Sequence, residues 1–439
     1  MSIVVLLIVF FALIVLSVPI AVALGVSTLA SAFLFSPIPL SIVGQKLFSN
    51  LDHFTLMAVP FFFYAAAFME SGGIVHRLVR LANAIVGHLR GGLGMTAILT
   101  CTLFAAISGS SPATVAAVGS IMYPALVREG YTKEYAIGAL TTAGAVGILI
   151  PPSIPLILFG FVTETSIPKL FIAGIVPGIV YGLSMMFMAN RLAVRMSYQP
   201  AERKDWVERW MVFRKAGPAL ILPIFIVVGI YGFPEFTAFG LQYSGGAMFT
   251  PTEAAIMAVL LALIIGLFIY RNQRWGDIFA VIIRTTPRVG LIFWIATNAI
   301  LFGFYLTKLG VPQAVANWII SLNMVPWMFL LMVNLVLVIV GLFLEGVPTI
   351  LLFVPVLFPA AQAMGIDPVH FGIIVIVNIE LGLVTPPVGL NLFVGSTISG
   401  LPIERVFRAC LPWMAVDVFV LALVTYFPWL STFLPDLMW

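Results

Sequence analysis

Gly147-Ile148-Leu149-Ile150-Pro151-Pro152 and Gly382-Leu383-Val384-Thr385-Pro386-Pro387 stand 235 residues apart and interrupt two apolar segments at the same point. Carried along the chain without a gap, that offset also superposes Thr114 on Thr349, Pro124 on Pro359, Gly130 on Gly365, Gly160 on Gly395 and Pro177 on Pro412. The residues that shape backbone recur, whereas the side chains between them do not. Matched Gly/Pro interruptions in two halves of a membrane protein are the best sequence pointer to a transporter's binding site.

The rest of the chain fits a membrane setting. Of its 439 residues 62% are hydrophobic and 9% charged, and no single core hides that much apolar surface from water. Apolar stretches fall at about 3–35, 55–71, 92–127, 135–163, 170–190, 217–232, 252–270, 291–307, 325–363, 369–399 and 411–434. Residues 3–35 carry no charge but lack the basic start of a signal peptide, and they read as mature structure. The fold class expected is an all-α polytopic membrane protein.

Several stretches are too long for one crossing of about 20 residues. Gly91 to Val127 is uncharged and pauses at Ser108-Gly109-Ser110-Ser111-Pro112, which suits a helical hairpin that enters and leaves by one face. Its counterpart, about 325–363, is expected to turn at Glu345-Gly346-Val347-Pro348. The first repeat then covers 1–190, with its hairpin at about 92–127 and a broken helix at about 135–163. A basic linker follows at 191–216, and the second repeat covers 217–439, with its hairpin at about 325–363 and a broken helix at about 369–399.

Lys and Arg concentrate in short cytoplasmic loops. With both hairpins re-entrant, 18 of the 21 fall on one side, and only Lys46, Lys169 and Lys308 fall opposite. That places the 191–216 linker in the cytoplasm and the C-terminus in the periplasm. The first hairpin, flanked by Arg90 and Arg128, opens to the cytoplasm and the second to the other face, so the repeats are inverted. Inversion requires 3–35 to cross twice with a break near Pro19; one long tilted helix is the alternative. Ile74–Arg90 and Trp275–Arg288 mix apolar and basic residues as interfacial helices do, serving either as anchors or as arms between a mobile and a fixed part.

Non-helical backbone at membrane depth implies protein cover or a water-filled cavity. Carbonyls freed at Gly147, Ile150 and Pro152, with Ser108 and Ser110 at the hairpin tip, are neutral oxygen ligands suited to an alkali cation. Gly382, Thr385, Gly341, Gly346 and Thr349 form the second set. Half-helix N-termini at the same breaks suit a carboxylate. Ser111, Thr114, Thr349 and Asn391 are candidate substrate contacts; Ser111 and Asn391 suit helix–helix hydrogen bonding equally well. Glu345 and Glu380 are intramembrane acids, which makes each a functional suspect. Their matched positions hold Ser110 and Ala145, so they are not assigned as primary ligands.

Enzyme readings find little. The chain has no Gly-x-x-x-x-Gly-Lys-Ser/Thr loop and no His-Glu-x-x-His, and His53, His76, His88 and His370 are dispersed. Cys101 and Cys410 lack metal-type spacing and read as small core residues. The basic linker needs no nucleic acid to explain it.

Ile107-Ser108-Gly109-Ser110-Ser111, Gly147 to Pro152, Phe249-Thr250-Pro251-Thr252-Glu253-Ala254 and Gly382 to Phe393 together resemble the large membrane subunit of tripartite ATP-independent periplasmic (TRAP) transporters. The resemblance implies a multi-pass protein of the bacterial inner membrane: a secondary transporter of elevator type, coupled to two or more sodium ions. It implies a periplasmic solute-binding protein and a small four-helix membrane subunit as partners. The substrate implied is an organic acid: a C4-dicarboxylate, sialic acid, or a related sugar or keto acid. The chain starts at its first large-subunit span, so the small subunit is expected as a separate chain. Phe233 to Gly246 departs from the family, which runs almost directly into the Phe-Thr-Pro-Thr-Glu motif; the insertion is expected on the periplasmic side. A stand-alone ion-coupled anion carrier or channel is the competing expectation.

Overall fold

Gly and Pro divide the apolar sequence into helices, and the dividing points are the ones that recur. The computed structural model describes residues 2–35, 39–198, 203, 205–232, 236–238, 241–243 and 247–438. Pro19, which donates no backbone hydrogen bond, and Ser17, at φ 60°, separate Ser2–Val15 from Ile20–Phe35. The second helix folds back on the first. Ser31 Oγ donates to Ser2 O at 2.9 Å, and Leu6 and Phe10 pack in one cluster with Ala23 and Leu24. Residues 3–35 are therefore an antiparallel pair, not one tilted helix.

The first hairpin consists of Gly92–Ser108 and Ser111–Arg128, joined by Gly109 in the left-handed region at φ 57° and by extended Ser110. The second consists of Pro326–Gly341 and Gly346–Ala363. Adding 235 to the bounds 111 and 128 gives 346 and 363, so the second arms coincide. The broken helices agree likewise. Lys133–Ala143, a tight turn over Gly144–Ile148 and Ile154–Thr163 correspond to Pro368–Leu383 and Leu390–Ser399. Side-chain caps mark the restarts: Thr132 Oγ1 accepts from Tyr135 N at 3.2 Å, Ser153 Oγ from Leu156 N at 3.3 Å, and Asp367 Oδ1 from His370 N at 2.8 Å. Pro151–Pro152 and Pro386–Pro387 are both cis.

Two expectations shift. The second hairpin turns at 342–345, and Gly346-Val347-Pro348 already lies in the helix. A proline in the first turn loses nothing, because N–H groups there have no intrahelical acceptor. Thr349 N and Oγ1 both donate to Glu345 O, at 3.1 and 2.8 Å, which closes that first turn. Trp275–Arg288 is not a separate arm either: it continues through Pro287 into the 34-residue helix Trp275–Lys308. In the first half Gly72 and left-handed Gly73 do separate Ala58–Ser71 from Ile74–Val86.

Among the described residues seven helices are long and apolar enough to cross a membrane: Phe54–Ser71, Ile167–Arg195, Trp206–Tyr231, Pro251–Ile269, Trp275–Lys308, Gly346–Ala363 and Ile403–Tyr426. The protein is a multi-pass membrane protein. Within the 233–246 insertion, Phe236–Ala238 pairs antiparallel with Leu241–Tyr243; its residues 233–235, 239–240 and 244–246 lie outside the described residues. So do residues 199–202 and 204 of the linker.

Residues that the charge pattern assigns to one face meet in space. Arg405 Nε donates to Glu134 Oε1 at 2.8 Å, Asn190 Nδ2 to Arg90 O at 2.8 Å, and Thr132 N to Tyr198 OH at 2.9 Å. Lys46 and Lys308, assigned to the other face, flank the Phe304 ring at 5.1 and 5.8 Å.

Candidate functional site

Each hairpin tip docks on the break of its own repeat, and glycine permits the approach. A Cβ on Gly147 would collide with Ala105 Cβ in the first hairpin, and one on Gly109 would lie 2.8 Å from Pro152 O. In the second repeat the backbones of Gly341 and Gly382 touch: a Cβ on Gly382 would sit 2.7 Å from Gly341 Cα and 2.8 Å from Gly341 O. Val388 N, beyond the second break, donates to Leu342 O at the tip, at 3.1 Å.

The first contact gathers neutral oxygens. Ser108 Oγ lies 2.8 Å from Thr114 Oγ1 and donates to Ser110 O at 3.3 Å. Thr114 Oγ1 donates to Ser110 O at 2.9 Å, as Thr349 Oγ1 does to Glu345 O at 2.8 Å, so the matched threonines play matched parts. Thr385 Oγ1 donates to Leu381 O at 2.6 Å, leaving its lone pairs free for other partners. Ile150 packs its side chain on Gly178, so only its backbone is available to an ion.

Between the two tips lies a cavity of about 410 Å³. Its walls include the first residues of four helices: Ser111 and Pro112, Ile154 and Pro155, Gly346 and Val347, and Leu390. Each helix start carries roughly half a positive charge and several N–H groups without intrahelical acceptors. Trp275–Lys308 closes the opposite wall with Thr285, Arg288 and Ile292, and Ala58–Ser71 with Phe63 and Glu70.

The substrate candidates lie at different depths. Ser111 borders the cavity, and Asn391 reaches it through Ser111, donating from Nδ2 to Ser111 Oγ at 2.8 Å and to Thr141 O at 3.3 Å. Thr114 and Thr349 are buried one layer behind, within the turns they close. Glu345 and Glu380 both border the cavity.

Three residues escaped the sequence reading. Arg288 reads in the sequence as one of many basic residues on the cytoplasmic side, and Glu70 ends an apolar run where an interfacial acid is ordinary. Asp417 had a usable signal: it is a lone acid within an apolar segment. It is 2% exposed and accepts from the Tyr181 hydroxyl through Oδ1.

A multi-pass helical protein with paired hairpins and breaks around a cavity lined by four helix starts has the architecture of a membrane transporter. The chain matches the family described as tripartite ATP-independent periplasmic transporter, DctM component, over residues 7–430, and it belongs to that family. It is 45% identical over 94% of both chains to the C4-dicarboxylate TRAP transporter large permease protein DctM of Pseudomonas aeruginosa. It is 32% identical, over 95% of each, to the sialic acid TRAP transporter large permease protein SiaM of Vibrio cholerae. Among solved structures, the YdaH transporter of Alcanivorax borkumensis has the same fold, with a TM-score of 0.62 at 14% identity, over 89% of this chain and 88% of that one.

Proposed function

We propose that the chain carries an organic acid, in the first place a C4-dicarboxylate, into the cell by sodium-coupled, elevator-type transport across the bacterial inner membrane. In this reading the substrate comes from a periplasmic binding protein and a small membrane subunit completes the permease. The observation that carries it is the meeting of four helix N-termini at one cavity, with Arg288 opposite. Free N–H groups and partial positive charges there favour carboxylates, and buried helix ends contribute up to about 2 kcal/mol each. The 45% identity to a C4-dicarboxylate permease supports that substrate class.

The residues fit sodium at two places. Ser108, Ser110, Thr114, Gly147 and Pro152 supply uncharged oxygens where the first tip meets its break; Gly341, Gly346, Thr349, Gly382 and Thr385 do so at the second. Sodium bound there supplies positive charge that ties tip to break and couples transport to the membrane field, at about 2.3 kcal/mol per charge per 100 mV. Ser111 and the helix starts orient the substrate carboxylates from the hairpin side. The wall formed by Trp275–Lys308 and Ala58–Ser71 belongs to the scaffold past which hairpins and broken helices move as inverted repeats. Arg288 falls on the cytoplasmic side by the charge pattern, so this conformation faces inward.

The test is uptake of radiolabelled succinate into proteoliposomes holding this chain and its small subunit, with and without an inward sodium gradient and the binding protein. Uptake that requires both supports the reading. Uptake without the binding protein shows a stand-alone carrier, and indifference to sodium removes the two cation sites.

A further inference from the structure

We propose that a basic pocket between Ile74–Val86, Trp206–Tyr231 and the end of Pro251–Ile269 holds the headgroup of an anionic phospholipid from the cytoplasmic leaflet. The inference does not depend on the transported substrate; it needs only the membrane setting and the side that the charge pattern assigns. The pocket has a volume of about 720 Å³. Arg77 and Arg80, three residues apart on one face of Ile74–Val86, meet Arg214 and Lys215 of Trp206–Tyr231 there. His76 stands beside them, and Glu208 is the one acid on the wall among the described residues. None of these four cations has an ion-pair partner among the described residues, where the one ion pair is Arg405–Glu134.

The wall is held in place by its own contacts. The Tyr270 hydroxyl accepts from Ala219 N at 3.0 Å and donates to Lys215 O at 3.1 Å, which ties the end of one span to another. The Tyr270 ring carries the Arg77 guanidinium 3.7 Å from its centroid, and Arg77 Nη1 donates to Gly73 O at 2.8 Å. Arg77 is thereby fixed with N–H groups to spare, and a guanidinium fork matches phosphate oxygens. Left-handed Gly73 makes room for the neighbouring amide, since a Cβ there would collide with Asn272 Nδ2. A soluble anion would need only the basic wall, whereas this pocket also has an apolar lip. Met211 and Ile269 border it half exposed, and Trp210, Phe213 and Phe268, next to them in sequence, are exposed as well. Aromatic and apolar side chains beside basic ones suit the depth at which headgroups lie, and basic pockets between spans on this side recognise anionic lipids. A second pocket, beside Ile403–Tyr426, sets Arg405 and Arg408 against Glu134 and Glu404 and has no such excess of positive charge.

Native mass spectrometry of the chain with its small subunit, titrated with dioleoyl phosphatidylglycerol or dioleoyl phosphatidylcholine and with inorganic phosphate as competitor, reads the site. The expected result is saturable binding of phosphatidylglycerol, with phosphatidylcholine roughly tenfold weaker or more. Arg80→Gln with Arg214→Gln should weaken phosphatidylglycerol about 25-fold, roughly fivefold for each charge removed. Glu208→Gln should strengthen it about fivefold, a gain that a misfolded protein would not give. Arg405→Gln with Arg408→Gln, which removes the same charge at the second pocket, should leave it within twofold. Equal affinity for phosphatidylcholine would mean an apolar groove alone, and displacement by an equal concentration of phosphate would assign the pocket to a soluble anion; either overturns the proposal. So does an Arg80/Arg214 variant no weaker than the Arg405/Arg408 control, or lipid bound by the chain alone but not with the small subunit in place.

Discussion

Gly382→Ala places one methyl group between two backbones that now touch, and its effect can be worked from the contact. The added carbon would lie 2.7 Å from Gly341 Cα and 2.8 Å from Gly341 C and O, whereas ordinary contact begins at 3.4 Å. The second hairpin tip must then back away from its break by about 0.7 Å, and only backbone is there to yield. Overpacking of this kind costs about 1–3 kcal/mol, and the helix-propensity gain of Ala over Gly, present with and without the ion, cancels from the binding difference. If oxygens on both sides of this contact hold a cation, the loss falls on the ion-bound state. At about 1.4 kcal/mol per tenfold, the sodium concentration for half-maximal uptake should rise roughly 5- to 100-fold. Gly303→Ala is the control, because its nearest neighbour is Leu351 O at 3.8 Å. The assay is proteoliposome uptake over a sodium series at saturating substrate and equal reconstituted protein. A Gly382→Ala half-saturation within twofold of wild type, matching Gly303→Ala, would refute a cation site shared between tip and break.

Arg288→Gln removes positive charge from the wall facing the helix starts; KM for succinate should rise about tenfold, with the sodium dependence of uptake unchanged. A sodium curve that moves while KM does not would point to a role in conformational change instead. Tyr181→Phe strips the donor from buried Asp417 and should lower stability by about 1–3 kcal/mol, seen as a reduced Tm in detergent. Adding Asp417→Asn should recover part of that loss; no recovery means the tyrosine acts through packing alone. Arg405→Ala breaks an ion pair whose side chains are 58% and 41% exposed, and its effect on unfolding should stay within about 1 kcal/mol.

What the sequence disclosed was backbone, because Gly and Pro act through local sterics that need no knowledge of neighbours. The offset of 235 places the start of the second arm, the start of each broken helix and both Pro-Pro turns. The interfacial segment expected at Trp275–Arg288 came from its mixture of apolar and basic residues, a pattern that does not mark where a helix stops, and the helix continues through it to Lys308. The turn at 342–345 was misplaced because Gly346 and Pro348 read as breakers at any position, whereas a helix tolerates both in its first turn. Side-chain partners were hidden more thoroughly. Nothing local to Arg288 says that its wall faces two hairpin tips, and Asn391 meets Ser111 only across 280 residues.

The repeat also limits how alike the two halves can be. Matched elements bring matched carbonyls and matched threonines to both tips, which suits two similar cation sites made mostly of backbone. Contacts that the repeat does not duplicate come from positions where the two halves differ. The structure puts those differences on the cavity: Glu345 stands where the first repeat has Ser110, and Glu380 where it has Ala145. With Glu70, three acids border the cavity, so the attraction for a carboxylate has to come from the four helix starts and Arg288.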